Sequence, residues 1–317
     1  MNLVFFDIEC ASVYKNSAKI CAFGYVVCDE RFNIIEKEDI MVNPKGKFHL
    51  TDGAGRQGII LPYEYDEFKK HPAFPQIYPR VKALLEDKDS LIFGHAVMND
   101  VKYLNLETRR FKLPPFSFKF YDSQLMYMTS IGDFSKQFGL QYITESLNVE
   151  FTPHRAADDA YATMRTVEAL CKKHGCDVHS LIKILKIKCG VTEGGRFTAP
   201  DSAPFAEYRR ACLRAKKERS DRRIKFHNAV CRRRKKVSGK LSGTSFNFSR
   251  PLEDNISVSI PLVEKIYECG GKYAQKLSEC NAYVCVENDV TARTKAAAET
   301  DGLKIMTVEE LRALLND

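Results

Sequence analysis

Long apolar runs are missing from the sequence. No stretch of about 18 apolar residues occurs, whereas a membrane-spanning helix needs about 20. The opening residues, MNLVFFDIEC, lack the basic start and the long apolar stretch of a secretion signal. Tryptophan is absent altogether. The chain has 317 residues, of which 44% are hydrophobic, so we expect two globular domains without a membrane segment.

The cysteines give no sign of a disulfide framework. There are eleven, an odd number, and they are scattered through apolar segments. This usage fits buried thiols in a reducing compartment and predicts a cytoplasmic protein. A second interpretation takes Cys171, His174, Cys176 and His179 as zinc ligands. It is disfavoured because their spacing fits no common zinc finger.

Positive charge is concentrated in one segment. The chain has a net charge of +8, whereas residues 205–240 alone hold 15 Lys and Arg against 3 Asp and Glu. A basic block of this kind is a natural contact for a phosphate backbone. We expect the nucleic-acid contacts in the densest run: Arg232, Arg233, Arg234, Lys235 and Lys236. The alternative is a linker helix whose charges are simply solvated.

Hydrophobic periodicity predicts an α/β fold for the first half of the chain. Apolar runs indicate strands, and segments with helical spacing follow them. We expect strands at 3–6, in both halves of 19–44 and at 90–95, and helices near 122–129, 136–147 and 156–173. Three strands followed by alternating helix and strand imply a mixed sheet with flanking helices.

Composition also predicts the domain boundaries. The α/β domain is expected to occupy residues 1–185. Residues 189–204 are rich in glycine and proline and indicate a linker. We therefore assign 186–240 to a linker with the basic helical segment, and 241–317 to a second compact domain.

Two carboxylates stand at the predicted end of the first strand. Asp7 and Glu9 are two residues apart in the apolar segment LVFFDIECA, so both side chains lie on one face of the strand. Two neighbouring carboxylates repel each other unless a cation lies between them. Hard oxygen ligands favour magnesium or manganese. The alternative is a surface pair at a strand terminus.

Four further residues are candidates for the same site or for its support. Asp100 follows the predicted strand SLIFGH and opens a helix. An acid at that position can also serve only to interact with the helix dipole, with no catalytic role. Asp158 and Asp159 open the helix from residue 156, and we expect one to cap it while the other points into a site. His154 precedes them on a loop, and a neutral imidazole there would be a base near pH 7.

The motifs FFDIE, GHAVMND and HRAADDA, in this order over about 150 residues, resemble the DEDD-family 3′–5′ exonucleases of the histidine subtype. This group includes the proofreading epsilon subunit of bacterial DNA polymerase III. The resemblance covers about residues 1–175 and implies an RNase H-like fold. It also implies that FYDSQLMYM carries a supporting acid, Asp122.

The resemblance implies a role for each motif residue. Asp7, Glu9, Asp100 and Asp159 would hold two divalent ions, Mg²⁺ or Mn²⁺, and His154 would be the general base. Two ions about 4 Å apart suit an in-line displacement at phosphorus. The product would be a nucleoside 5′-monophosphate. Cys10, Ala11, Ser12 and Asn99 depart from the family pattern beside these motifs without replacing a ligand.

The second domain resembles a bacterial-type BRCT domain. Residues 243–315 predict the order β-α-β-β-α-β-α, and Thr307 with Glu310 predicts a capping box. The tryptophan that is common in the last helix of that family is missing. The resemblance implies a phosphate site at Ser249 and Lys295, although Arg250 replaces the usual glycine. A BRCT fold without a phosphate site is the alternative.

These features together predict an exonuclease that acts on single-stranded 3′ ends, with DNA in repair or proofreading as the favoured substrate. One alternative is an RNA 3′-end trimming enzyme. Another is a non-catalytic protein that tethers nucleic acid, although the intact set of acids argues against it. The BRCT domain implies a protein or DNA-end partner.

Overall fold

The structure is a computed structural model, and it describes residues 1–49, 61–149, 155–232, 234, 237–286, 290–300 and 302–316. The chain divides into two compact units, Met1–Arg209 and Arg210–Asp317. The division falls within the helix Ala203–Cys231. The functional boundaries at 185 and 240 remain predictions. In the part of the chain that the structure describes, no helix is both long and apolar enough to cross a bilayer.

The first unit is built around one mixed sheet. The strands described in this unit are β1 (Asn2–Tyr14), β2 (Ser17–Cys28), β3 (Ile34–Met41), β4 (Ser90–Gly94), β5 (Phe118–Asp122), β6 (Ile187–Lys188), β7 (Gly190–Glu193), β8 (Arg196–Thr198) and β9 (Asp201–Ser202). Seven of them form a sheet in the order β3-β2-β1-β4-β5-β7-β8. β1 is antiparallel to β2 and parallel to β4, which confirms the predicted mixed sheet.

Helices cover both faces of this sheet. They are α1 (Phe74–Leu85), α2 (Met98–Arg110), α3 (Ser123–Ile131), α4 (Leu140–Ser146), α5 (Ala156–His174) and α6 (Val178–Ile184). The helix α7 (Ala203–Cys231) follows in the chain, and most of it belongs to the second unit. Val4, Phe6 and Ile8 of β1 pack with α1 and α2, whereas Leu3 and Phe5 pack with α3 and α5. The odd-numbered residues of β1 therefore face α5, because side chains alternate along a strand.

The segment 189–204 is not the linker that its composition indicated. It forms β7, β8 and β9, and β7 pairs with β5 in the main sheet. Gly194 and Gly195, with φ of 58° and 76°, make the two-residue turn between β7 and β8. Such a turn needs positive φ at both positions, which glycine adopts easily. The glycines that suggested a linker are hairpin residues.

The second unit contains a parallel sheet. Its described elements are β10 (Ser245–Phe248), α8 (Arg250–Asp254), α9 (Ile256–Glu268), β11 (Lys272–Tyr273), β12 (Ala282–Cys285), α10 (Ala292–Thr300), β13 (Lys304–Thr307) and α11 (Val308–Asn316). The strand order is β11-β10-β12-β13. Thr307 and Glu310 form the predicted capping box, with N···O distances of 2.7 and 3.2 Å.

Candidate active site

β1 places Asp7 and Glu9 in the interior of the strand. The strand continues to Tyr14, so the prediction that these acids end it was wrong. The parallel neighbour β4 pairs only as far as Phe5, whereas the antiparallel partner β2 continues. Both acids therefore lie beyond the last residue that β4 covers. Their odd positions direct them toward α5.

A glycine lets the start of α5 approach the sheet closely. Gly24 of β2 lies opposite Asp7. A Cβ atom at Gly24 would lie 2.0 Å from the carbonyl carbon of Ala156, the first residue of α5. Only glycine leaves room for the helix backbone at this position. The first turn of α5, which carries Asp159, is thereby packed against the strand next to the β1 acids.

Three carboxylates meet at this place. Oxygen atoms of Asp7, Glu9 and Asp159 lie within 4.8 Å of one another. Asp159 is 9% exposed, and the other two are half-buried. An all-oxygen donor set of this kind fits a hard divalent cation such as Mg²⁺ or Mn²⁺. The residues present therefore fit the divalent metals that the sequence predicted.

Asp100 lies in the first turn of α2 and is 6% exposed. It is outside the group of three described above. Burial raises the pKa of its carboxyl, and the backbone of Asp100 itself and of Ile8 offsets part of this rise. Ile8 lies between the two β1 acids, so Asp100 stands beside them. Its position in the first turn also places it where the helix dipole favours a carboxylate.

The electrostatics of the site show unbalanced negative charge. Burial raises the pKa of Asp7, and the charges of Asp100 and Glu9 raise it further. Burial and the charge of Asp159 raise the pKa of Glu9 to about 8. Burial and the charge of Glu9 likewise raise the pKa of Asp100. A bound cation would offset this repulsion and keep the acids ionised at neutral pH.

Asp39 is an acid of this region that the sequence analysis missed. It lies on β3 opposite Gly24, so Asp7, Gly24 and Asp39 form one row across three strands. Its charge raises the pKa of both Asp7 and Glu9, after burial and the nearer acids. No motif marks Asp39, because its position depends on the pairing of β2 with β3.

The two adjacent acids of α5 have different roles. Asp158 pairs with Lys37 of β3 at 2.7 Å, and Asp159 lies in the carboxylate cluster. Neither is the N-cap residue of the helix, which is Arg155, and the side chain of Arg155 makes no cap hydrogen bond. The expectation that one of them caps α5 was therefore wrong. His154, the predicted base, lies outside the described residues.

Asp122 ties the site to the neighbouring helix. Its Oδ1 accepts hydrogen bonds from the backbone amides of Ala96 at 3.1 Å and Gln124 at 2.8 Å. It thus caps α3 and at the same time holds the loop between β4 and α2. Burial raises the pKa of Asp122 to about 6. These contacts fix the start of α2 and therefore the position of Asp100.

The basic run is only partly described. Arg233, Lys235 and Lys236 lie outside the described residues. The guanidinium of Arg234 donates to the carbonyl of Ala229 at 2.7 Å and lies 4.2 Å from the ring centroid of Tyr267. Arg232 is exposed. Arg234 is thus engaged within the protein, whereas Arg232 is open to solvent.

The predicted phosphate residues of the second unit differ in accessibility. Ser249 is 0% exposed, and among the residues that the structure describes its hydroxyl finds no hydrogen-bond partner. Lys295 is exposed on α10. A cavity of about 620 Å³ in the same unit is lined by neighbours of both, Arg250 and Thr294. The other basic residues that line it are Arg223, His227 and Lys276.

A sequence model of the RNase T exonuclease family matches residues 4–167, more than half of the chain. No curated protein matches.

Several solved structures are similar to this chain. One, described as a 3′-exonuclease that recognises the 3′ end of the histone mRNA stem-loop, is 15% identical with a TM-score of 0.49, and the match covers 64% of this chain and 71% of that one. The nuclease domain of 3′hExo, a DEDDh family member bound to rAMP, is 20% identical with a TM-score of 0.43, and the match covers 55% of this chain and 92% of that one. E. coli exonuclease I in complex with a dT13 oligonucleotide is 16% identical with a TM-score of 0.44, and the match covers 55% of this chain and 42% of that one.

The family match includes the strand of Asp7 and Glu9, the helix start of Asp100 and the first turn of α5. These are the elements that carry the acids described above. The chain therefore belongs to the RNase T family of exonucleases, enzymes that hydrolyse phosphodiester bonds.

Proposed function

We propose that the protein is a 3′–5′ exodeoxyribonuclease that uses two divalent ions and releases nucleoside 5′-monophosphates from single-stranded DNA ends in repair or proofreading. The observation that supports it most is the carboxylate cluster, in which Asp7, Glu9 and Asp159 lie within 4.8 Å. Its negative charge is unbalanced without a cation. A non-catalytic tethering protein would gain nothing from this costly arrangement.

Asp7, Glu9, Asp100 and Asp159 would hold the ions. When bound, divalent ions supply Lewis-acid stabilisation of the charge that develops on the attacking and leaving oxygens. His154, as the neutral imidazole, takes the proton from the attacking water. The base must be neutral to do this, so hydrolysis falls in acid as the imidazole gains a proton.

The preference for DNA rests on the resemblance of the motifs to the epsilon subunit of DNA polymerase III. An RNA 3′-end trimming activity is the second candidate, because the acids act on the phosphodiester in either polymer. The test is to compare initial rates on labelled single-stranded DNA, duplex DNA and RNA of one sequence, in magnesium. Faster cleavage of RNA than of single-stranded DNA would contradict the proposal.

The basic segment is proposed to contact the phosphate backbone. Residues 209–221 of α7 are all exposed, although Arg209 pairs with Asp201 and Arg219 with Asp254. Its cationic members in this stretch are Arg209, Arg210, Arg214, Lys216, Lys217 and Arg219. With the predicted residues Arg232, Arg233, Lys235 and Lys236, they would form a continuous positive path for a strand.

The second unit is proposed to be a BRCT-type module that binds a phosphate-bearing partner, either a protein or a DNA end. The resemblance implies Ser249 and Lys295 as the phosphate ligands. The side chain of Ser249 is fully buried, whereas Arg250 and Lys276 line the open cavity nearby. Binding of a phosphoserine peptide and of a 5′-phosphorylated oligonucleotide, measured for S249A/K295S and for R250S/K276S, separates the two sets. Equal binding by both variants and the wild type would contradict the module's proposed role.

We also propose a reducing compartment, the cytoplasm. All eleven cysteines are free thiols, and four of them are buried. Buried thiols without disulfide partners are typical of such compartments. Localisation by microscopy of a tagged chain tests this, and secretion would contradict it.

A further inference from the structure

Asp39 is joined to the start of α5 by a set of hydrogen bonds that the metal site itself does not require. Its side chain is 10% exposed. The phenol of Tyr63 lies 2.9 and 3.1 Å from its two oxygens. The guanidinium of Arg155 donates to it at 3.0 Å. Arg155 is the N-cap residue of α5.

Tyr63 makes a second contact that reaches the helix directly. The backbone N–H of Ala156 donates to the Tyr63 hydroxyl at 3.1 Å. Ala156 is the first residue of α5, and the first amides of a helix have no partner within it. The phenol thus supplies the cap that the side chain of Arg155 does not. It accepts from the helix and donates to Asp39, so one hydroxyl links β3 to α5.

Packing holds the Tyr63 ring in place. The ring meets Phe68 edge to face, with centroids 5.3 Å apart. Phe68 and Leu61 are buried in a cluster with Ala11 and Cys21. Ala11 lies two residues after Glu9 on β1. The segment that carries Tyr63 is therefore anchored to the same strand as the catalytic acids.

We propose that Tyr63 and Asp39 are positioning residues for the exonuclease reaction: they fix the first turn of α5 and so place Asp159 against Asp7 and Glu9. Asp159 follows Ala156 by three residues, less than one helical turn. Small displacements of a reacting group are costly in rate. This inference rests on the proposed metal-binding role of Asp159.

The test is Tyr63→Phe, which removes one hydroxyl and keeps the ring. The matched control is Tyr127→Phe. Tyr127 is buried, whereas Tyr63 is half-buried, and the hydroxyl of Tyr127 in α3 hydrogen-bonds to the hydroxyl of Ser146 in α4 at 3.0 Å. We expect kcat to fall about tenfold in Y63F, with KM and the melting temperature close to the wild type. Y127F should keep kcat. An unchanged kcat in Y63F, or an equal loss in Y127F, would overturn the proposal.

Hydrogen exchange gives a readout that does not depend on activity. The amide of Ala156 should exchange about tenfold faster or more in Y63F, because its acceptor is gone, whereas amides deep in α5 should not change. Unchanged exchange at Ala156 would also overturn the proposal. If the wild type showed no hydrolysis, the proposed function would fail while exchange still tested the Tyr63 contact.

Asp39→Asn provides a further check through a double-mutant cycle. Tyr63 and Asp39 act through one chain of hydrogen bonds, so the losses in kcat of Y63F and D39N should not multiply in the double variant. Losses that multiply would show two independent effects and would contradict the proposed link.

Discussion

Asp7→Asn separates catalysis from folding most clearly. The change keeps the size of the side chain and removes one charge from the cluster. We expect hydrolysis to fall by about 10³-fold or more, which is about 4 kcal/mol of transition-state stabilisation. The reason is that Asp7 faces both Glu9 and Asp159 within 4.8 Å, so any cation held there would contact it.

The effect on stability should have the opposite sign when metal is absent. Burial and the neighbouring acids raise the pKa of Asp7 above its unfolded value. An acid whose pKa is higher in the folded than in the unfolded state destabilises the fold. At a pH where it is ionised in both states, the cost is about 1.4 kcal/mol for each unit of difference between the two pKa values. Asparagine does not ionise. In EDTA at pH 8 we therefore expect D7N to melt at the wild-type temperature or about 2–4 °C higher.

Magnesium should reverse this order. A ligand at about 100 times its Kd stabilises a protein by about 2.7 kcal/mol, and the wild type should gain this while D7N gains little. The assay pairs thermal melts in EDTA and magnesium with hydrolysis of a labelled oligonucleotide. Asp158→Asn is the matched control, because Asp158 loses the same charge but pairs with Lys37 outside the cluster. Near wild-type hydrolysis by D7N, or loss of activity in D158N alone, would refute the reasoning.

Three other predictions follow from the site and the basic segment. Burial raises the pKa of Glu9 from 4.5 to about 8, so the metal-free protein should lose stability as pH rises between these values. Thermal melts from pH 5 to 8 measure this loss, which should be smaller in Glu9→Gln. His154→Ala should lower turnover by about 10²–10⁴-fold while titration calorimetry shows metal binding retained; loss of both would make His154 a ligand. Replacing Arg232, Arg233, Lys235 and Lys236 with serine should weaken nucleic-acid binding and flatten the log–log dependence of affinity on salt by about 0.7 per lost contact on single strands. Anisotropy titrations at several salt concentrations measure this slope. The control Arg234→Ser should change the slope little, because the Arg234 guanidinium is engaged within the protein.

Part of the site was predictable from local patterns. Asp7 and Glu9 share a strand face in an apolar segment, which by itself indicated a cation site. The choice of Asp100, and of Asp159 over Asp158, came from the resemblance of the motifs to an exonuclease family. The N-cap of α5 was not predictable in this way. Its partner, Tyr63, lies 93 residues before Ala156. Such a contact depends on how a distant segment packs, which no local pattern records.

The remaining errors have physical causes of the same kind. β1 was expected to end near Phe6, yet it continues to Tyr14 because β2 pairs with it through two irregularities after Glu9. Asp39 was missed because its place beside the site is set by the registers of β1 with β2 and of β2 with β3. Gly190 suggested a linker, whereas a Cβ there would lie 2.5 Å from the ring of Phe120, so the glycine permits close packing of β7 on β5.

The most direct test of the central claim is the direction and metal dependence of hydrolysis. A single-stranded DNA oligonucleotide labelled at its 5′ end is incubated with the full chain in magnesium or in EDTA, beside Asp159→Asn and the control Asp158→Asn. The account predicts stepwise shortening from the 3′ end with release of nucleoside 5′-monophosphates in magnesium, by the wild type and D158N only. Early release of the labelled 5′ nucleotide, hydrolysis that persists in EDTA, or full activity in D159N would contradict it.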